Sequence, residues 1–225
     1  MKSNQILSIL ALALLSVLSL SSAQACSGLQ SASTFAAIAS STITNTGPTH
    51  INSNIGVYPG TAVTGFPPGK LVGDMYTGDA TAALAIAQVA TFFSQFEPSS
   101  ACTNLVTLSN IVLTPGTYCF SGSAALTGTL VLNGLGQSAP VFIFVIPTTL
   151  VLSSGSAVTL TNGAVATGIY WNVGTSATLG VQSNFNGILY AHAAITVDAG
   201  THVNGKLFAG SAITFDDADL VSCEC

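Results

Sequence analysis

Few side chains in this sequence are equipped for chemistry, and the densest group is acidic. Asp216, Asp217 and Asp219 crowd together near the C-terminus. Two carboxylates at close range are what glycoside hydrolysis requires, one to protonate the leaving oxygen and one to attack or to activate water. The chain has no arginine to hold an acidic sugar, and the three acids fall at the end of the last repeat described below. A solvated cap is the preferred reading, with calcium as the lesser one. Thr49-His50-Ile51-Asn52 and Thr201-His202-Val203-Asn204 repeat each other. Neither histidine has an acid or nucleophile at useful spacing along the chain, so both are expected to be corner residues and not proton carriers. Cys223-Glu224-Cys225, with one intervening residue and no histidine nearby, makes a poor zinc clasp. Asp74 and Asp79 are placed at the entrance of a helix, where negative charge is favoured. No phosphate loop, metal cluster or nucleophile triad can be assembled from the rest.

What recurs instead is threonine. Residues 187–222 divide after Asn204 into two 18-residue lines, GILYAHAAITVDAGTHVN and GKLFAGSAITFDDADLVS, with Gly, Leu, Ala, Ala, Ile, Thr, Asp and Val in the same columns. Gly168 to Asn186 is a further rung one residue longer, Val141 to Leu160 another, and Leu126 to Asn133 part of a fifth. A fixed period of this kind is the signature of a solenoid. At about 3.3 Å per residue, 18 residues trace a closed path of roughly 59 Å, enough for three short strands and three corners. The fold class expected is therefore mainly β: a three-sided, triangular β-solenoid with one long helix packed alongside.

One side of each rung begins FIFV, IYWN, ILYA or KLFA, apolar on both faces, as a strand between a core and a covering layer should be. The cover is assigned to Asp79–Phe96, where Ala82, Ile86, Val89, Phe93 and Phe96 recur at helical spacing and Pro98 supplies the stop. Eighteen helical residues span about 27 Å, the height of roughly six rungs stacked 4.8 Å apart. Phe144, Trp171, Tyr190 and Phe208 are expected to form its floor; an aromatic sugar-binding strip is the lesser reading.

The second side carries the threonines. Ile195, Val197, Ile213 and Phe215 alternate with smaller residues and are expected to point inward, leaving Ala194, Thr196, Ala212 and Thr214 outward. The same register places Ser176 and Thr178, Thr149 and Val151, and Thr129 and Val131 on that outer surface. Threonine often fills an exposed sheet for no further reason. Here, however, the face is almost free of charge, although charge is the ordinary guard of such a surface. It also extends over at least four rungs. A flat lattice of methyls and hydroxyls suits a partner that is planar, periodic and uncharged, as ice is.

Composition agrees with a single secreted domain. Residues 1–25 carry Lys2, an apolar run and Ala23-Gln24-Ala25, a secretory leader cut before Cys26 and too short to be a membrane span. Residues 26–225 then form one domain. Without Lys2 the formal net charge falls from −5 to −6, and only Lys70 and Lys206 remain as cations, which excludes nucleic acid as a partner. Cys102 and Cys119 can close a local loop, while Cys26 can reach Cys223 or Cys225. Five cysteines leave one unpaired, so the monomer expected here has a disulfide-linked dimer as its alternative.

The run TFAAIASSTITNTGPTHINSNIGVYPGTAVTGF (Thr34 to Phe66), LTPGTYCF (Leu113 to Phe120), and the rungs containing IYWNVG and NGKLFAGSAIT resemble the secreted ice-binding protein family of polar microbes, algae and fungi. The resemblance covers nearly all of residues 26–225. It implies a discontinuous, right-handed β-solenoid, no cofactor, no catalysis, and an ice crystal surface as the partner of the flat face away from the helix. Some relatives carry Thr-(Ala/Gly)-X-(Thr/Asn) there; Thr61 to Thr64 fits fully, while Thr148 to Val151 and Gly128 to Val131 end in valine. The ice-contacting set expected is Ser41, Thr42, Thr44, Thr61, Thr64, Thr129, Thr149, Thr175, Ser176, Thr178, Ala194, Thr196, Ala212 and Thr214. A secreted glycan-binding or adhesion module on the same solenoid is the alternative.

Overall fold

A computed structural model describes residues 28–96 and 102–223. The leader, Cys26 and Cys225 lie outside them. Every strand pairing among these residues is parallel, as expected of a chain that winds repeatedly round one axis. Seven strands make one sheet, side two. Fifteen others make a second sheet that folds round a corner into sides one and three. Strands Asn184–Ala191 and His202–Ala209 cross that corner at Gly187 and Gly205. Gly187 has φ +126°, and a Cβ on Gly205 would lie 1.8 Å from the Gly187 carbonyl oxygen, so stacked rungs can turn there only without side chains.

The winding is discontinuous. The last rung, with strands His202–Ala209, Ala212–Phe215 and Asp219–Val221, pairs with the first strands of the chain: Phe35–Ala39, Thr42–Asn45 and His50–Ile51. Asn54–Val57, Ala62–Thr64 and Met75–Thr77 extend that end. The helix then runs back along side one, and Thr103–Asn104 opens the opposite end.

The helix spans Ala80–Phe93, capped by Asp79, whose carboxylate accepts the Ala82 N–H at 2.8 Å. It stops three residues short of the expected Phe96 because the last turn tightens: the Gln95 N–H donates to Phe92 O and the Phe96 N–H to Phe93 O. Asn172 Nδ2 donates to the carbonyls of Phe93 and Phe96, satisfying that end. Asp74 is not at the helix entrance. It precedes strand Met75–Thr77, where its N–H donates to Asn54 Oδ1.

The helix floor differs by one residue from expectation. Phe144 pairs with Trp171, but Trp171 pairs with Leu189 and Asn172 with Tyr190. Phe144 and Trp171 therefore point into the solenoid, stacked with ring centroids 4.0 Å apart. Tyr170, Ile188 and Phe208 form the buried floor instead, with Tyr190 half-buried beside Phe93. A strand apolar on both faces gives no alternation to set its register. Tyr170 stacks on Ile188 and Ala177 on Ile195, 18 residues apart, so this rung has the regular length and begins at Ile169; a frame started at Gly168 is one residue off.

Cys102 and Cys119 form a disulfide across 17 residues of sequence. Cys223 is buried and carries no bond.

Candidate functional site

Side two is built by strands Ala124–Leu126, Leu150–Leu152, Ala177–Leu179, Ile195–Val197, Ala212–Phe215, Thr42–Asn45 and Ala62–Thr64, in that spatial order. Alternation fixes which face each residue takes. Leu150, Leu152, Leu179, Ile195, Val197, Ile213, Phe215 and Ile43 are fully buried in the core, as expected for those singled out in the two C-terminal rungs. The residues between them point outward and, being in register, fall into rows spaced by about 4.8 Å.

The central row reads Ala125, Val151, Thr178, Thr196, Thr214, Thr44, Thr64. Five consecutive rungs thus present threonine at the same height, and the row passes without a break from the C-terminal rung to the N-terminal one. Thr44 Oγ1 donates to Thr214 Oγ1 at 3.3 Å across that junction. A second row, two residues earlier, includes Thr149, Ser176, Ala194, Ala212, Thr42 and Ala62, and Thr42 pairs directly with Ala212 and Ala62. At the corner with side one lie Thr148, Thr175, Ala193, Ser211, Ser41 and Thr61. Ser41 N–H donates to Ser211 O, Ser211 N–H to Ala193 O and Ala193 N–H to Thr175 O, so the corner is as regular as the face.

Thirteen of the expected residues are brought together here. Thr129 is not. It opens strand Thr129–Asn133, which pairs with Ala157–Thr161 and Ile111–Leu113 on side three. The side-two strand of that rung is Ala124–Leu126, and the chain turns the corner at Gly128 (φ +86°), one residue before Thr129. The outward positions of this rung are taken by Ser123 and Ala125, which the sequence reading missed because the rung is only partly repeated.

None of these rows carries a charged residue. Asp198 and Asp216 stand at the edge beyond Val197 and Phe215; Asp216 accepts from Thr46 Oγ1 at 2.9 Å. The groups with displaced proton affinity lie elsewhere. Burial raises the Tyr170 and Tyr190 hydroxyls and the Cys223 thiol above their ordinary pKa values, and lowers the Lys206 ammonium. All four are grouped round side one and the solenoid's C-terminal end. On side three, His202 and His50 stand on strands and not at corners, and rung stacking brings Asp219 beside His202, Nδ1 to Oδ2 3.1 Å. The acid that sequence spacing failed to supply is thus present, as an exposed pair. Among the described residues no group of His, Cys, Asp or Glu is arranged to hold a metal ion.

A family model described as ice-binding-like matches residues 37–221. The chain belongs to that family. An ice-binding protein of Nostoc sp. (strain HG1) is 40% identical over 178 residues, covering 78% of this chain and 65% of the relative. Ice-binding protein 1 of Shewanella frigidimarina is 37% identical over 100 residues, 44% of this chain but 11% of that protein. The chain thus spans less than two thirds of the length of these two relatives. Among solved structures, the ice-binding protein of the Antarctic ascomycete Antarctomyces psychrotrophicus superposes with TM-score 0.84 at 36% identity, over 88% of this chain and 98% of that one. Side two of this chain is an uncovered sheet of seven in-register strands, whereas the helix and the aromatic floor cover side one. No helix of the described residues is long and apolar enough to cross a membrane.

Proposed function

We propose that the chain adsorbs to ice through side two. The observation that carries the reading is the unbroken row Thr178, Thr196, Thr214, Thr44 and Thr64, in register and without charge. A threonine hydroxyl offers one donor and two acceptors, and exposure leaves these open to water on one side. The methyls hold water that is not pulled away by a stronger partner, while the hydroxyls anchor it, so an ordered layer can form over the rows. Charged side chains would bind water too tightly and in the wrong geometry for a lattice that excludes ions. Ser41, Thr42, Thr61, Thr149, Thr175, Ser176, Ala194 and Ala212 widen the surface beside the central row. Each adsorbed molecule pins the crystal front, ice bulges between pins, and the curvature depresses local freezing. No cofactor and no catalytic step is involved, and one molecule suffices.

The names of the Nostoc and Antarctomyces proteins support this reading. The leader pattern before Cys26 and the Cys102–Cys119 disulfide support secretion to an oxidising compartment. Nanolitre osmometry on the protein from Cys26 onward is the test: faceted crystals and a gap between melting and freezing are expected, and rounded crystals growing freely below the melting point rule the function out. Intact mass of the exported protein checks the cleavage site and the monomer.

A further inference from the structure

The threonine row is assembled from the two ends of the chain, and something must align them. Strand Phe35–Ala39 is a poor judge of its own register. Ala36, Ala37 and Ala39 offer little shape to a neighbour, and a bulge interrupts its pairing with Asn54–Val57 between Phe35 and Ala37. A slip of one residue would turn Thr42 and Thr44 inward and Ile43 and Asn45 out.

At this junction stands Lys206, buried to 2% exposure. Its Nζ donates to the carbonyls of Ser33 (2.7 Å), in the 3-10 turn Gln30–Thr34 that leads into the incoming strand, and of Phe35 (3.3 Å), the first residue of that strand, and to Ser222 Oγ (2.8 Å) in the last rung. Three acceptors and three protons match an ammonium group. The aligned positions in the next two rungs are Ile188 and Tyr170, both packed under the helix. An apolar side chain therefore fits this column, and a lysine there is costlier to bury. What the lysine adds is selectivity for one placement of the N-terminal backbone.

We propose that Lys206 is a positioning residue for the ice-contacting row: it fixes the register of the N-terminal rungs on the C-terminal rung, so that Thr44 falls in line with Thr214. This rests on side two being the ice-contacting face. Lys206→Met keeps the length and the packing but releases both carbonyls. The solenoid away from the junction stays folded by circular dichroism, while backbone amides of Thr42–Asn45 exchange about tenfold faster or more. The row of five splits into three and two, and thermal hysteresis falls to about half or less. In that background Thr44→Tyr adds little further loss, whereas Thr178→Tyr costs as much as it does in the parent.

Unchanged amide exchange overturns the proposal, as does a loss in which Thr44→Tyr and Thr178→Tyr keep equal effects, the mark of general destabilisation. If Lys206→Met does not fold, Ser222→Ala, which removes one acceptor, is read by the same two measurements. If Thr44→Tyr is silent in the parent while exchange still quickens in Lys206→Met, the face is wrong and the register role stands.

Discussion

Thr196→Tyr is the sharpest probe of side two. Thr196 is half-buried and faces outward between Thr178 and Thr214 in the central row. A tyrosine ring extends farther from the sheet than the spacing between rungs, about 4.8 Å. It therefore lifts a flat lattice off its own rung and off the rung on either side. Three of the five threonines lose contact and only Thr44 and Thr64 remain in line, so hysteresis at equal molarity should fall below about half. Stability should not follow, since tyrosine is at home in an exposed strand and surface changes of this kind stay within about 0.5 kcal/mol. For a domain of this size that is a shift of about 2 °C or less in Tm. The assay pairs nanolitre osmometry with a calorimetric melt, and Thr129→Tyr on side three is the control. Retained hysteresis in Thr196→Tyr, or equal loss in Thr129→Tyr, refutes the assignment of the face.

Val151→Thr should extend the central row from five rungs to six: Val151 is 40% exposed, pairs in register with Thr178, and its replacement adds a hydroxyl without burying it. Osmometry should show hysteresis above the parent at the same concentration. Ala177→Ile should lower hysteresis although its side chain never meets ice, with a destabilisation of about 1–3 kcal/mol from overpacking the rung beneath, read in a thermal melt. Alkaline pH should unfold the protein earlier than its acids alone would suggest. Tyr170, Tyr190 and Cys223 all have raised pKa values in the fold, so the unfolded chain gives up those protons first and stability falls as pH rises from about 9 upward. Lys206, lowered by burial, acts in the opposite sense below its ordinary pKa, but it is one group against three. Denaturant titrations between pH 8 and 11 should show a falling midpoint, and Cys223→Ala should remove the part of the fall that begins lowest.

The period, the three sides and the helix were legible in the sequence because each rests on spacing: 18 residues per rung, alternation on side two, and a 3.6-residue stripe from Ala82 to Phe93. Side two was legible in detail since one face is buried and the other is not, so Ile195 and Thr196 declare themselves. Side one was not. Its strands are covered on both faces, and Phe144 and Trp171 are as apolar as the residues flanking them, so only the observed pairing shows that they point inward. Thr129 failed for a related reason: Thr127-Gly128 hides the corner in a rung whose apolar pattern, Leu126, Leu130, Leu132, runs on across it. The junction of Thr214 with Thr44 cannot be seen along the chain, because contacts between stacked rungs of different ends have no fixed separation in sequence. The His202–Asp219 pair was missed for another reason: its separation of 17 residues is one short of the 18-residue rung, since the last rung turns its corner one residue sooner.

The levelness of side two is set from inside the solenoid. In-register parallel pairing fixes the spacing along each row, but the height of each strand depends on what fills the rung behind it. Consecutive rungs fill the same triangle with different residues. Where side one contributes Trp171, side two contributes Ala177; in the next rungs Leu189 faces the core with Ile195, and Leu207 with Ile213. The large residue has moved from one side to the other while the backbones stay paired. Trp171 is held in that arrangement by its Nε1, which donates to Asn186 O at 3.1 Å, and by Phe185 at 5.5 Å between ring centroids. An ice-contacting face therefore needs more than threonines at the right period. It needs each rung's interior volume kept constant to within about a methylene, since a core at crystal-like density passes any excess to the surface as displacement, and a row displaced at one rung no longer presents a plane.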